Sequence, residues 1–509
     1  MRREGRRGRT LRARWSTAWL GQAKWRGKWR SRTVYGVTLA VAAALLVAVG
    51  PEGSGAARAA TASGHRWITD RDGRALVLRG LSTASSAKQA PDGMPWITEK
   101  DVERERRALG TDFVRFLLQW RNVEPSPGRY DEDYLRDVAE RVRWYGERGY
   151  KVMLDMHQDL YGPATGGNGA PAWATDTDGL PSAAQDPWEL GYVEPGTVRA
   201  FDHFWGTDGG GRDLRRHYAD AWRHVARRFA ADDTVIGYDL MNEPWGGTVQ
   251  GPAFESGPLA GLYQKTIDAI RTVDRDHWLF VEPSAIGANW GFATALPRLT
   301  DPRGDGASAR IAYAPHLYPL PMDLGGGYTG ATKARVDASL DAWREQTEKT
   351  ARRLAAPVVI GEFGLDVTLP GALEYVAKVQ RMADDMGAGL AYWSNDPGSW
   401  APWDSDMKPT KLLPVLDRPY PRAIAGDPVG YAWDAGARRL TVRWRGTGGA
   451  AGDGVPGGTE IYLPERFFPH GGRVSGGRPV SWDPKSRILT VRSGPGEHAV
   501  RVTPRAAPA

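Results

Sequence analysis

At 509 residues the chain exceeds one ordinary compact domain and suits a large barrel with a smaller module. A hydrophobic fraction of 41% supplies two cores, and the absence of cysteine excludes disulfides, thiolate chemistry and cysteine-based metal sites. The formal charge of +7 would suggest nucleic acid if it were spread over the fold; instead the first 36 residues hold twelve Lys/Arg against one Glu, so the rest is mildly acidic and no nucleic-acid partner is expected.

The basic stretch ends at Arg32 and is followed by an apolar run, Val37 to Val49, and by Ala57-Arg58-Ala59. That order is the one a secretory signal takes, with cleavage near Ala59/Ala60 and an extracellular mature protein. An uncleaved membrane anchor is the alternative, although the apolar run is shorter than a spanning helix requires. Residues 1–59 are therefore expected to be leader.

Residues 60–418 alternate short apolar runs with longer amphipathic ones. The expected strands are Leu76–Leu81, Phe113–Leu118, Lys151–Met156, Val235–Leu240, Trp278–Glu282, Arg310–Ala314, Pro357–Gly361 and Gly389–Trp393. They are apolar on successive positions rather than alternating, as expected for strands buried on both faces of a parallel sheet. Helices are expected over Thr98–Leu109, Asp131–Gly149, Leu214–Ala231, Leu259–Val273, Thr332–Leu354 and Leu373–Met386. Strand then helix, repeated about eight times, predicts an α/β fold of the (β/α)8 TIM-barrel type. A doubly wound open sheet is the competitor, and no G-x-G-x-x-G follows a strand to support it. The long segment from His157 to Arg212 follows a strand, so it belongs on the catalytic face. Residues 419–509 read as a small antiparallel β-sandwich, with strands at Leu440–Trp444, Thr459–Leu463, Ile488–Val491 and Ala499–Val502 and a frayed tail from Pro504.

Barrel active sites use residues at the C-terminal ends of strands. Those ends carry Arg115, Asp155, His157, Asn242, Glu243, Glu282, His316, Tyr318, Glu362 and Trp393. Two carboxylates stand out, Glu243 after the fourth strand and Glu362 at the end of the seventh. Cleaving a glycosidic bond takes one carboxyl group to protonate the departing oxygen and a second to attack the anomeric carbon or direct water at it.

Asn242-Glu243-Pro244 and Gly361-Glu362-Phe363-Gly364 resemble glycoside hydrolase family five, the cellulase-like members of the four/seven barrel clan. Eight positions of that family's site find matches here: Arg115, His157, Asn242, Glu243, His316, Tyr318, Glu362 and Trp393. The resemblance implies a retaining double displacement, with Glu243 as acid/base and Glu362 as nucleophile. It also implies that Asn242 bonds the sugar 2-hydroxyl, Arg115 and Tyr318 hold Glu362, the two histidines position sugar and acid/base, and Trp393 lies under the sugar ring. Gly80–Lys88, Met156–Tyr161, Asn168–Trp173 and the tail from Pro419 to Pro464 resemble the endoglycoceramidase branch, whose members split oligosaccharide from ceramide in glycosphingolipids. That likeness makes Lys88, Asp159 and Trp188 glycan contacts and a glycosphingolipid the substrate partner. The loop after Tyr161 is shorter than in the branch, which leaves glycan length open.

The chemistry needs no cofactor, no metal-binding pattern occurs, and a monomer is expected. A lipid substrate adds an expectation of peripheral contact with lipid surfaces, through an exposed apolar patch of Trp245, Phe254, Leu259, Leu317, Leu320, Met322, Leu324, Leu369, Trp400 and Trp403. An endo-β-1,4-glucanase acting on polysaccharide and a non-catalytic carbohydrate-binding protein are the alternative readings.

Overall fold

The computed structural model describes residues 67–209, 213–305, 308–323, 325–446 and 458–507. The expected leader over 1–59, and Leu324 of the expected patch, lie outside the described residues.

Eight parallel strands form one sheet: β2 Arg79–Ser82, β3 Phe113–Leu118, β4 Lys151–Met156, β5 Val235–Asp239, β6 Trp278–Val281, β7 Ile311–Tyr313, β8 Val359–Phe363 and β9 Gly389–Tyr392. Neighbours pair in chain order, β2 also pairs with β9, and Tyr313 bridges Val358 to close the ring. This is a (β/α)8 barrel. Helices cover it, among them Glu99–Leu109, Glu132–Gly146, Leu214–Phe229, Gly330–Leu354 and Ala372–Met386. Their starts follow local chemistry. Thr98 and Asp101 form a capping box, and the Asp131 and Asp213 side chains accept from amides in the first turns of their helices.

Side chains alternate along a strand, so residues two apart share a face. Phe113, Met153 and Phe280 belong to one buried apolar cluster with Ala312, Val359 and Ala391, each from a different barrel strand. Two residues further along their strands stand Arg115, Asp155 and Glu282. One strand register therefore puts apolar side chains low in the barrel and charged ones at its catalytic end.

The C-terminal region forms two packed antiparallel sheets. The first is ordered β1-β10-β13-β16-β15 and the second β11-β12-β17-β14, with β1 Ala75–Leu76, β10 Tyr420–Ile424, β11 Asp427–Asp434, β12 Arg439–Gly446, β13 Thr459–Tyr462, β14 Gly472–Ser475, β15 Pro479–Asp483, β16 Ile488–Val491 and β17 Gly496–Pro504. Their shared core includes Trp444, Ile461, Leu489 and Val502.

Three expectations need correction. The run Leu76–Leu81 is two strands: Ala75–Leu76 pairs with β10 of the C-terminal sheet, and only Arg79–Ser82 enters the barrel. The tail does not fray at Pro504, which pairs with Gly472. The insertion contains a helix, Pro195–Trp205, that composition concealed among Gly and Pro residues.

The C-terminal sheets are fastened to the barrel by buried polar bonds. Arg79 Nη2 donates to the Tyr431 hydroxyl, Arg422 Nε to Asp112 Oδ2 at 3.1 Å, and the Tyr420 hydroxyl to the Gly110 carbonyl at 2.9 Å. Gly110 ends its helix at φ +61, and a Cβ there would strike the Tyr462 ring.

Glu105, on the first long helix, is fully buried and accepts from the Thr111 and Tyr150 hydroxyls and from Asn395 Nδ2. Burial lifts its pKa from 4.5 to about 7, against the effect of the hydroxyl bonds. Between those values the unfolded chain has lost a proton that the folded protein keeps, so stability falls as pH rises through that window and is level above it. Glu105→Gln removes this loss. Urea unfolding from pH 4.5 to pH 8 should show the variant gaining on wild type by on the order of 3 kcal/mol. Parallel pH profiles would contradict it.

Candidate active site

The catalytic end of the barrel is organised around Arg115, whose side chain is fully buried on β3. Its Nε donates to Asp239 Oδ2 at 2.9 Å, its Nη1 to Glu362 Oε1 at 2.5 Å, and its Nη2 to Asn242 Oδ1 at 2.9 Å and Glu282 Oε1 at 3.0 Å. Asp155 Oδ1 lies 3.0 Å from the same nitrogen. A planar guanidinium can serve several acceptors in fixed directions, which an ammonium cannot. Burial alone would lower the Arg115 pKa; the charges of Asp155, Asp239, Glu362 and Glu282 outweigh it and raise it. Burial, then the Glu282 charge, raises the Asp239 pKa.

Glu362 closes β8. Its second oxygen accepts from the Tyr318 hydroxyl at 3.0 Å. Burial opposes ionisation, but His316, Arg115, His157 and Lys88 together hold its pKa below the ordinary glutamate value. Gly361 before it allows a close approach, since a Cβ there would lie 3.0 Å from His316 Nε2.

Glu243 sits in the left-handed region at φ 43, an uncommon conformation for a residue with a side chain. The surroundings fix it there. The Glu243 amide donates to Glu282 Oε2 at 2.9 Å, and its carbonyl accepts from Gln158 Nε2 at 3.0 Å. The strain aims the carboxyl group across the barrel mouth. Oε1 accepts from Asn289 Nδ2 at 2.9 Å and lies 2.9 Å from His316 Nδ1. Burial would lower the His316 pKa, and Glu282, Glu362 and Glu243 raise it well above the ordinary value. His316 thereby links the two carboxylates. Ligand-type atoms of Glu243, His316 and Glu362 all lie within 4.8 Å of one another, so a carboxyl oxygen of each glutamate lies within that distance of the other.

Beside the carboxylates is a second set of groups. Lys88 Nζ is 2.8 Å from Asp159 Oδ2 and 4.4 Å from the centre of the Trp393 ring. His157 stacks on Trp393 with centroids 5.6 Å apart, and its Nδ1 is 2.8 Å from Asp155 Oδ2. Burial would raise the Asp159 pKa, but Lys88 and His157 lower it far below the ordinary value. Trp188 stands apart from this cluster, 44% exposed and tilted against Tyr192. Burial, then the Glu243 and Asp159 charges, raises the pKa of neighbouring Glu189, so this part of the insertion lies within the field of the site.

The structure thus brings together Lys88, Arg115, His157, Asp159, Asn242, Glu243, His316, Tyr318, Glu362 and Trp393. It adds Asn289 and Gln158, which sequence reasoning missed. Asn289 follows a short irregular helix, Ala285–Ala288, and no motif marks it. A further group of ligand-type atoms, on Asp176, Asp178 and His203, lies in the insertion, where His203 is already held by Asp178 and Asp208.

The expected apolar patch is not formed as read. Trp245, Phe254, Leu259, Leu317, Met322 and Trp403 are buried, and Leu320 and Leu369 half-buried; only Trp400 is exposed. Most of these loops fold their apolar residues inward. Phe254 packs on Trp205 at 4.9 Å between centroids, Trp245 on Tyr192 at 5.5 Å, and Arg104 covers Trp403.

Comparison with known proteins gives a consistent set of likenesses. The family signature "Cellulase (glycosyl hydrolase family 5)" matches residues 69–399, and "Glycoside hydrolase family 5 C-terminal domain" matches residues 418–503. Endoglycoceramidase I of Rhodococcus hoagii (strain 103S) is 28% identical over 456 residues, covering 86% of each chain. Among solved structures, endo-glycoceramidase II from Rhodococcus sp. in its ganglioside GM3 complex is 52% identical with a TM-score of 0.84, over 87% of this chain and 100% of that one. The lactosyl-enzyme intermediate of the same Rhodococcus protein is 52% identical with a TM-score of 0.82, at the same coverage.

Proposed function

The chain belongs to glycoside hydrolase family 5 and is a retaining glycoside hydrolase, and from that premise we propose that it hydrolyses the β-linkage between glycan and ceramide in glycosphingolipids. Glu362 attacks the anomeric carbon while Glu243 protonates the departing ceramide oxygen. A glycosyl-enzyme ester results, and Glu243, now ionised, takes a proton from the water that cleaves it. The observation that carries this assignment is the approach of the two carboxyl groups to within 4.8 Å. That is the spacing of a direct nucleophile, whereas a carboxylate that must direct water stands roughly 6.5–9.5 Å away. Arg115 and Tyr318 keep Glu362 ionised, and Asn289 and His316 orient Glu243.

The substrate reading rests on different support. Over the 87% of the chain that aligns, 52% of residues are identical to the Rhodococcus protein seen with ganglioside GM3, and Lys88, Asp159, His157 and Trp393 form a polar and aromatic seat suited to a sugar. Exposed apolar residues in the segments after β4, β6 and β9, Leu180, Val193, Phe292 and Trp400, are the candidates for the ceramide side, in place of the buried residues first expected. The order of basic, apolar and Ala57-Arg58-Ala59 segments in the leader supports export as part of the same proposal.

The test offers ganglioside in detergent beside soluble cellulose. Intact oligosaccharide and ceramide should be released from the first, with the β-anomer appearing before mutarotation by proton NMR, and little product should come from the second. Cellulose as the better substrate would overturn the glycolipid reading and leave the retaining mechanism standing.

A further inference from the structure

The loop after β9 makes bonds that have no part in the chemistry so far. Asp396 lies three residues beyond Trp393, and its side chain crosses to a 3-10 turn, Ser85–Lys88, which follows β2. Its Oδ1 accepts from the Ser86 amide at 3.3 Å, its Oδ2 accepts from the Ser394 hydroxyl at 3.2 Å, and the Ser85 amide also supports its charge. The turn has no cap of its own, because Ala84 precedes it and offers no side-chain acceptor. The first amides of such a turn have no carbonyl partner within it. Asp396 supplies the missing acceptor from a different loop. At the other end of the turn, the Lys88 carbonyl accepts from Arg121 Nη2 at 2.6 Å. The backbone of the turn is thus held from both sides.

What the turn carries is Lys88. Its side chain has four rotatable bonds, and an ammonium could meet Asp159 from many backbone positions. Only a fixed turn brings it both to Asp159 and over Trp393, at 2.8 and 4.4 Å. Trp393 and Asp396 share one loop, so the cap ties the ring and the ammonium into one unit.

We propose that Asp396 is a positioning residue for the sugar site: by capping the Lys88 turn from the loop that bears Trp393, it sets the ammonium relative to the platform ring. This rests on the reading that Lys88 and Trp393 hold the glycan. It goes beyond that reading by assigning the geometry of the pair to a residue that touches neither the sugar nor the reacting atoms. Burial raises the Asp396 pKa, and the bonds from Ser86, Ser85 and Ser394 oppose that rise. An amide of the same shape retains an acceptor oxygen for the Ser86 amide.

The experiment is a double-mutant cycle between Asp396→Ala and Lys88→Ala, with an aryl β-lactoside as substrate, so that no lipid enters the measurement. Asp396→Ala should lower kcat/KM about tenfold, mainly through KM, and less than about twofold when Lys88 is already Ala. Asp396→Asn should restore most of the loss, and it also answers the case in which the alanine variant fails to fold. Additive losses in an active enzyme would overturn the role of Asp396 alone. A wild-type enzyme inert toward both lactoside and ganglioside would overturn the function proposed above and this inference with it.

Discussion

Glutamine in place of Glu362 should leave a folded protein whose turnover falls by about 10⁴-fold or more on every substrate. Glutamine has the shape of glutamate but no nucleophilic oxygen, so the first displacement cannot begin. Folding should survive, because Arg115 keeps Asp155, Asp239 and Glu282 as partners after the charge at 362 is gone. The amide oxygen can still accept from Arg115 Nη1, and the Tyr318 hydroxyl can turn to accept from the new amide. Circular dichroism and the thermal midpoint should therefore change little while activity vanishes. A 2-deoxy-2-fluoro-β-glycoside with a good leaving group should label the wild-type protein at Glu362, since the fluorine slows both displacements and the activated leaving group restores the rate of the first alone. Label on any other carboxylate, or more than a few per cent of residual turnover in Glu362→Gln, would remove Glu362 from the role of nucleophile.

The barrel was legible because its strands are buried on both faces. Runs such as Phe113–Leu118 and Lys151–Met156 carry apolar residues on successive positions rather than alternating, as strands covered on both faces of a parallel sheet do. The carboxylates were legible because a barrel confines chemistry to strand ends, and Glu243 and Glu362 sit just past or at the ends of β5 and β8. Other features depend on contacts that no local pattern records. Leu76 of β1 read as part of the first barrel strand, and only pairing across to Ala423 assigns it to the other sheet. Asn289 holds Glu243 from an irregular segment, at a spacing that has no motif. The apolar loop residues failed in the opposite way. Hydrophobicity tells that Trp245 or Phe254 avoids water, but it does not tell whether a protein ring or a lipid will cover it. In this fold the neighbouring rings of Tyr192 and Trp205 do so.

Removing the acid/base should produce a loss that depends on the leaving group, a pattern that misfolding cannot imitate. Glu243→Ala deprives the departing oxygen of its proton donor. A ceramide alkoxide is a poor leaving group, so glycolipid hydrolysis should fall by about 10³–10⁴-fold. A dinitrophenolate leaves without protonation, and formation of the glycosyl-enzyme from that substrate should drop by about tenfold or less. The second displacement also loses its general base, so the ester on Glu362 should accumulate and appear as a burst of phenolate followed by slow turnover. Accumulation lowers KM together with kcat, which separates this variant from one that merely binds sugar badly. The space left by the carboxyl group lies beside Asn289 Nδ2 and His316 Nδ1, both of which met Glu243 Oε1 at 2.9 Å. Two hydrogen-bonding groups facing that gap, one of them a histidine whose pKa is raised, make it receptive to a small anion. Azide should therefore enter, attack the ester without needing a base, and restore turnover of the aryl glycoside. Because this is a second inversion at the same carbon, the product should be the β-glycosyl azide. An α-azide would mean that the anion had replaced the nucleophile, and the roles of Glu243 and Glu362 would have to be exchanged.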